Sequence, residues 1–244
     1  MTKLCVVFVC NKKYLNKFKY TYNLLHRYGK YKGDVTLIIG DDLNINDIKI
    51  KKLNVVKFKD IIFNSNFHAV NKNIESDNRN ITKKFQWHKL HLFNTFFKKW
   101  DYILYLDCGM KIYNDISPII AECTKNKLLA HSDAYPTYKW KLYDQFDTSH
   151  QLYNKLTDKY NFDIDYFQTT MLLYDTNIIT DTLFDELYDL SQKYPISKTN
   201  EQGIMSFYFI NKKLWKQIKI KEDDIYYYDY LKRNIKNKYI MTKI

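Results

Sequence analysis

Asp107 stands directly after the apolar run Tyr102–Leu106 (YILYL), and Cys108 and Gly109 follow it. A carboxylate at a strand exit is pre-positioned and partly desolvated. There it can hold a hard divalent cation, which in turn neutralises a diphosphate. Gly109 lets the backbone approach a ligand closely. The same residues also suit a plain strand-ending turn, because Asp and Gly are turn residues. His131-Ser132-Asp133 repeats the arrangement after Leu128–Ala130, so Asp133 is a candidate for binding donor or acceptor hydroxyls, with a turn again as the alternative. His88 and His91, three apart, could chelate a metal but read better as packing or solvent-facing rings. Asp41 and Asp42 could accept hydrogen bonds from a base or ribose, and read better as loop. The aromatics of Tyr135–Trp140 suit stacking on sugar rings, although clustered aromatics more often form core.

The elements that must position these groups alternate. Leu4–Cys10 (LCVVFVC) is a continuous apolar, β-branched run, hence a buried strand. Asn16–Tyr28 has helical spacing and stops at Gly29. Val35–Ile39 and Asn54–Phe58 are further strands, and Asn64–Asn80 reads as a polar loop. Phe85–Trp100 is expected to be a helix leading into the Tyr102–Leu106 strand. Pro118 opens a short helix, and Leu128–Ala130 and Met171–Tyr174 are strands. Thr148–Tyr160, Asp181–Tyr194 and Glu201–Phe209 are expected helices. This order predicts an α/β fold with a mostly parallel central sheet flanked by helices. Such sheets bind ligands at the carboxyl ends of their strands. No Gly-rich dinucleotide or P-loop pattern, no G-x-S-x-G and no H-E-x-x-H occurs, which argues against those site types.

The stretch Trp87–Asp115 (WHKLHLFNTFFKKWDYILYLDCGMKIYND) resembles the donor-site segment of family-8, glycogenin-like glycosyltransferases. Phe167–Leu173 (FQTTMLL) and Glu201–Met205 (EQGIM) resemble two later segments of that family, in the same order. The resemblance covers roughly residues 4 to 210 and implies a GT-A, Rossmann-like fold. It implies transfer of a sugar, from a UDP-sugar by default, to a glycan or protein hydroxyl with retention. It places Lys89 and Asp107 with Gly109 on the donor, and Gln168, Glu201 and Gln202 at the catalytic centre. Thr169 and Asp133 become sugar- or acceptor-binding candidates. Asn11, at the end of the first strand, is a candidate for seating the nucleotide base. The family's metal motif has a second Asp where this chain has Gly109, and its late histidine–lysine segment has no counterpart, since no histidine follows His150. Mn²⁺ or Mg²⁺ is expected, held by Asp107 with Asp229, the alternative being basic residues in place of a metal. Rival readings are a nucleotidyltransferase, or a degenerate non-catalytic module that binds a nucleotide sugar or nucleic acid.

Composition sets the outer bounds. With 244 residues and 45% apolar content, the chain suits one domain spanning residues 1–244. The net charge of +12 comes from lysines spread along the whole length. Together with abundant Asn, Ile and Tyr and only 5 Gly and 3 Pro, it suits an AT-rich genome, that of a large DNA virus or of an AT-rich microbe. Nucleic acid is therefore not an expected partner. The 4 cysteines form no CxxC pair and read as reduced thiols. No apolar stretch reaches membrane-spanning length and no signal peptide is evident, so a cytoplasmic location is expected, the host's if viral.

Overall fold

The apolar run Leu4–Cys10 forms strand β1, and its alternation explains why it is apolar throughout. Cys5, Val7 and Val9 enter one hydrophobic layer, while Val6, Phe8 and Cys10 enter the layer on the other face. In the computed structural model, which describes residues 2–71, 84–133, 139–229 and 238–243, β1 lies in a seven-stranded sheet. The other strands in chain order are β2 (Asp34–Ile39), β3 (Leu53–Lys57), β4 (Tyr102–Leu106), β6 (Leu128–Ser132), β7 (Phe167–Asp175) and β8 (Trp215–Gln217). Their spatial order is β3-β2-β1-β4-β7-β6-β8. All run the same way except β7, which is antiparallel to both β4 and β6.

Helix α1 (Leu15–Arg27) follows β1, burying Phe18, Thr21 and Leu25 against the second layer. Short helices α2 (Ser65–Asn71), α3 (Ser117–Ala121) and α4 (Gln151–Thr157) and the longer α5 (Leu183–Lys193) and α6 (Glu201–Asn211) complete the helical cover. The polar stretch read as a loop from Asn64 thus begins with a helix, and its residues 72–80 lie outside the described residues.

The helix expected over Phe85–Trp100 is two 3₁₀ segments, Lys84–Phe93 and Thr95–Lys99. Asn94 divides them: its backbone is extended (ψ 144°) and its side chain accepts from the Phe96 N–H. With three residues per turn, Trp87, Leu90 and Phe93 fall in one line, and all three are buried. Lys89 and Leu92 share another line, so this tighter winding fixes the direction in which Lys89 leaves the backbone.

A second, four-stranded sheet had no expectation behind it. It joins β5 (Met110–Ile112), β11 (Tyr239–Lys243), β10 (Ile225–Asp229) and β9 (Lys221–Glu222) in that order. Its first strand starts one residue after Gly109, whose φ of +93° turns the chain out of β4. No helix among the described residues is long and apolar enough to cross a membrane.

Candidate active site

The carboxyl ends of the parallel strands carry Asn11 after β1, Asp107 after β4 and Asp133 after β6. Because β7 runs backwards, its first residues reach this same edge: Phe167 pairs with Ser132, and Met171 with Leu106. One reversed strand therefore brings Gln168, Thr169 and Thr170 beside Asp107 and Asp133. The first turn of α6 adds Glu201 and Gln202. A carboxylate in that turn faces the positive end of the helix dipole.

Lys89 lies at the centre of these groups. Its ammonium sits 3.0 Å from Asp107 Oδ1 and 2.9 Å from Glu201 Oε1. It also donates to the Thr169 carbonyl at 3.3 Å and to the Thr169 hydroxyl at 3.4 Å. The Thr169 hydroxyl donates to Glu201 Oε1 at 3.0 Å, and its backbone N–H donates to Gln202 Oε1 at 3.2 Å. Gln202 is in turn held by Gln145, its Nε2 donating at 3.0 Å. Asp107 Oδ1 also accepts from the Tyr105 hydroxyl at 2.5 Å, and Oδ2 accepts from the Lys243 ammonium.

Burial opposes each charge in this cluster, and the opposite charges prevail. Desolvation alone would push the Asp107 carboxyl up, but the ammoniums of Lys243 and Lys89, with their hydrogen bonds and that of Tyr105, hold it well below the usual carboxylate range. Desolvation would likewise lower the Lys89 ammonium, and Asp107 and Glu201 hold it above its ordinary value. Burial and the neighbouring Asp107 carboxylate raise the Tyr105 phenol, so it remains a donor. Lys89 and Asp107 are thus held in their charged forms at one point of the sheet edge, with Glu201 and Lys243 paired to them.

Asp133 forms a second group beside the first. It is buried and accepts from Tyr166 and from Gln168 Nε2. Alternation along β7 sends Gln168 toward Asp133 and Thr169 toward Lys89. Of the six buried side-chain polar atoms with no hydrogen-bond partner among the described residues, Gln168 Oε1 and Glu201 Oε2 lie at this edge, and Asn200 Oδ1 lies next to it. Buried acceptors are ordinarily satisfied, so a pair of them at a ligand edge points to polar groups supplied by a bound molecule.

The other expected residues divide. Asn11 uses its side chain to cap a short turn, accepting from the Tyr14 N–H at 3.2 Å. Gly109 turns its N–H toward α1, donating to Thr21 Oγ1 at 3.0 Å. His88 lies 3.0 Å from an Asp60 oxygen, and His91 Nε2 meets the Lys59 carbonyl at 3.0 Å while its ring stacks on Phe58 and Phe184. Both rings pack, as the sequence favoured. Asp41 pairs with Lys57 at 3.0 Å, and Asp42 accepts from the Lys12 N–H, so both are loop residues. Asp229 ends β10 with its backbone paired to Thr242, and its side chain lies outside the described residues. Tyr135 and Tyr138 also lie outside them, and Trp140 is exposed. Among the described residues, no three His, Cys, Asp or Glu side chains cluster as metal ligands.

No family model matches the sequence, and no curated protein matches it. Among solved structures, the chain is similar to the glycosyltransferase GlyE of Streptococcus pneumoniae TIGR4. The apo-form GlyE aligns with a TM-score of 0.55 at 16% sequence identity, covering 89% of this chain and 45% of that one. A second GlyE structure gives a TM-score of 0.57 at 16% identity, covering 90% of this chain and 46% of that one. The fold is a GT-A-like glycosyltransferase fold. This chain spans less than half the length of the GlyE chains it matches.

Within this glycosyltransferase fold, sequence reasoning missed Lys243 and Tyr105. Tyr105 was hidden inside an apolar strand, where its hydroxyl gave no signal. Lys243 lies 136 residues from Asp107 and reaches it only through the second sheet, where Lys243 pairs with Met110. The alternation of Tyr239–Lys243 (YIMTK) marked a strand, but nothing in the sequence marked its neighbour.

Proposed function

We propose that this chain is a glycosyltransferase moving a hexose-type sugar from a nucleotide-sugar donor, a UDP-sugar by preference, to a hydroxyl of a glycan or protein. The observation that carries this reading is the Lys89–Asp107–Glu201 cluster, with Lys89 and Glu201 buried, at the carboxyl edge of a glycosyltransferase-type sheet. Cleaving the donor leaves negative charge on a diphosphate. A site that speeds this step presents fixed positive charge there and holds donor and acceptor in contact. Lys89 carries such a charge, kept protonated by its two carboxylates.

Glu201 is the candidate catalytic carboxylate. Lys89 and Thr169 hold its Oε1, leaving Oε2 to accept from a sugar hydroxyl or to face an oxocarbenium-like carbon. Thr169 and Gln202 act as positioning residues for it. Gln168 and Asp133 form the polar rim that reads sugar hydroxyls, and Asn11 is the candidate for the base. Retention at the anomeric carbon follows from the family-8 resemblance, which supports the UDP preference as well.

A thermal-shift panel of UDP- and GDP-sugars, run with and without Mn²⁺, tests the binding half of this reading. One donor class is expected to raise the melting temperature of the wild type and to lose its effect in Asp107→Asn. Equal shifts in both proteins, or none with any donor, refute it.

A further inference from the structure

The family-8 resemblance implies a divalent cation on Asp107, and the donor set around that carboxylate does not fit one. Hard divalent cations demand six or more oxygen ligands, with carboxylates among them. Gly109 stands where a second carboxylate would be, and no three potential ligands cluster among the described residues. The Asp107 oxygens are also engaged already, Oδ1 by Lys89 at 3.0 Å and Tyr105 at 2.5 Å, and Oδ2 by Lys243. A dication on this carboxylate would meet two ammonium groups at close range and be repelled by both.

Lys243 reaches this place by construction. β11 pairs antiparallel with β5, and its Lys243 is set opposite Met110, the residue after Gly109. The strand exit that offers one carboxylate is therefore faced by an ammonium from the second sheet.

We propose that Lys243 takes the cation's part: anchored on Asp107, its ammonium meets the donor diphosphate, and transfer proceeds without a divalent metal. This rests on the glycosyltransferase reading above. Lys243 retains 27% of its side-chain exposure against 10% for Lys89, so Lys243 is the more open of the two to an incoming anion. An ammonium has three N–H donors, and the one spent on Asp107 leaves two for phosphate oxygens. In the reaction the bond between the anomeric carbon and the diphosphate oxygen breaks, and its electron pair stays on that oxygen. The acceptor oxygen bonds to the same carbon while its proton passes to the departing diphosphate. Lys243 keeps its own proton throughout and acts by charge and hydrogen bonding. Asp107 becomes a positioning residue that holds Lys243 in place.

Calorimetric titration of the full chain with UDP, GDP and ADP, in excess EDTA and then in MnCl₂, tests this. The wild type is expected to bind one of these diphosphates in EDTA, with Mn²⁺ changing the affinity by less than about twofold. Lys243→Gln is expected to weaken that binding by about 10- to 100-fold, the loss of one charged hydrogen bond. Lys243→Arg, which keeps the charge, is expected to retain most of it, and circular dichroism of both variants separates lost charge from lost fold. Binding that vanishes in EDTA and returns with Mn²⁺ overturns the proposal while leaving the glycosyltransferase reading standing. So does full affinity in a folded Lys243→Gln. No binding of any diphosphate under either condition overturns both.

Discussion

Lys89 is a buried charge held between the buried Glu201 and the half-buried Asp107, so it bears on stability as well as on the proposed chemistry. Such a pair adds little net stability when intact, but removing one partner strands the other. Lys89→Met is therefore expected to cost about 3–5 kcal/mol in urea denaturation, since it strips the buried Glu201 of its ammonium partner and leaves Asp107 with Lys243 alone. Adding Glu201→Gln to Lys89→Met is expected to recover part of that loss, because the two sites share one network. A single-variant loss below about 1 kcal/mol contradicts the geometry, being what a surface pair would give. Asp107 is held below its unfolded value of 3.8, so its contribution is present above that pH and fades only as pH falls further. Lys89 is held above its unfolded value of 10.5, so its contribution is present below that pH and is lost as pH rises beyond it. At this scale Asp107 was legible from position alone, whereas Lys89, Gln168 and Glu201 were legible only through the resemblance. Lys243 was not legible, because a lone lysine in a basic chain carries no mark of its partner.

Among the elements, the segment from Lys84 to Lys99 departs most from its sequence reading and matters most to the site. The apolar residues looked helical, but spacings of three at Trp87, Leu90 and Phe93 suit a 3₁₀ winding equally, and short periodicity arguments do not separate the two. That winding also buries His88 and His91, beside Asp60 and the Lys59 carbonyl. Burial lowers both rings to about 4, against an ordinary value of 6.5. A histidine lowered on folding stays neutral in the native state while the unfolded chain takes up a proton. Stability is then full above about pH 6.5 and falls as pH drops toward about 4. Each ring is expected to contribute on the order of 2–4 kcal/mol to that loss. Urea midpoints at pH 7.5 and pH 5 measure it, and replacing both rings with phenylalanine is expected to flatten the difference. An unchanged slope in that double variant would show that other groups carry it. The glycine at 203 has a comparable local cause: a Cβ there would lie 2.5 Å from Ser197 Oγ and would displace the hydrogen bond that this hydroxyl donates to the Asn200 carbonyl, just before Glu201.

At the scale of the whole molecule, the parallel half of the sheet was legible because continuous apolar runs between helical stretches admit few other arrangements. The reversal of β7 was not, since its run of nine buried residues reads the same in either direction. Yet that reversal gathers the site, by carrying Gln168 and Thr169 to the edge where Asp107 and Asp133 emerge. The second sheet was equally silent, built from short strands joined mostly through distant pairings. Sugar transfer at this gathered edge is measured most directly by release of nucleoside diphosphate from nucleotide sugars, with water or an added acceptor taking the sugar. The wild type is expected to release it from one donor, and Glu201→Gln, folded by circular dichroism, to lower kcat by about 10²- to 10³-fold. Release at the wild-type rate by Glu201→Gln, or no release from any nucleotide sugar by the wild type, would contradict the account.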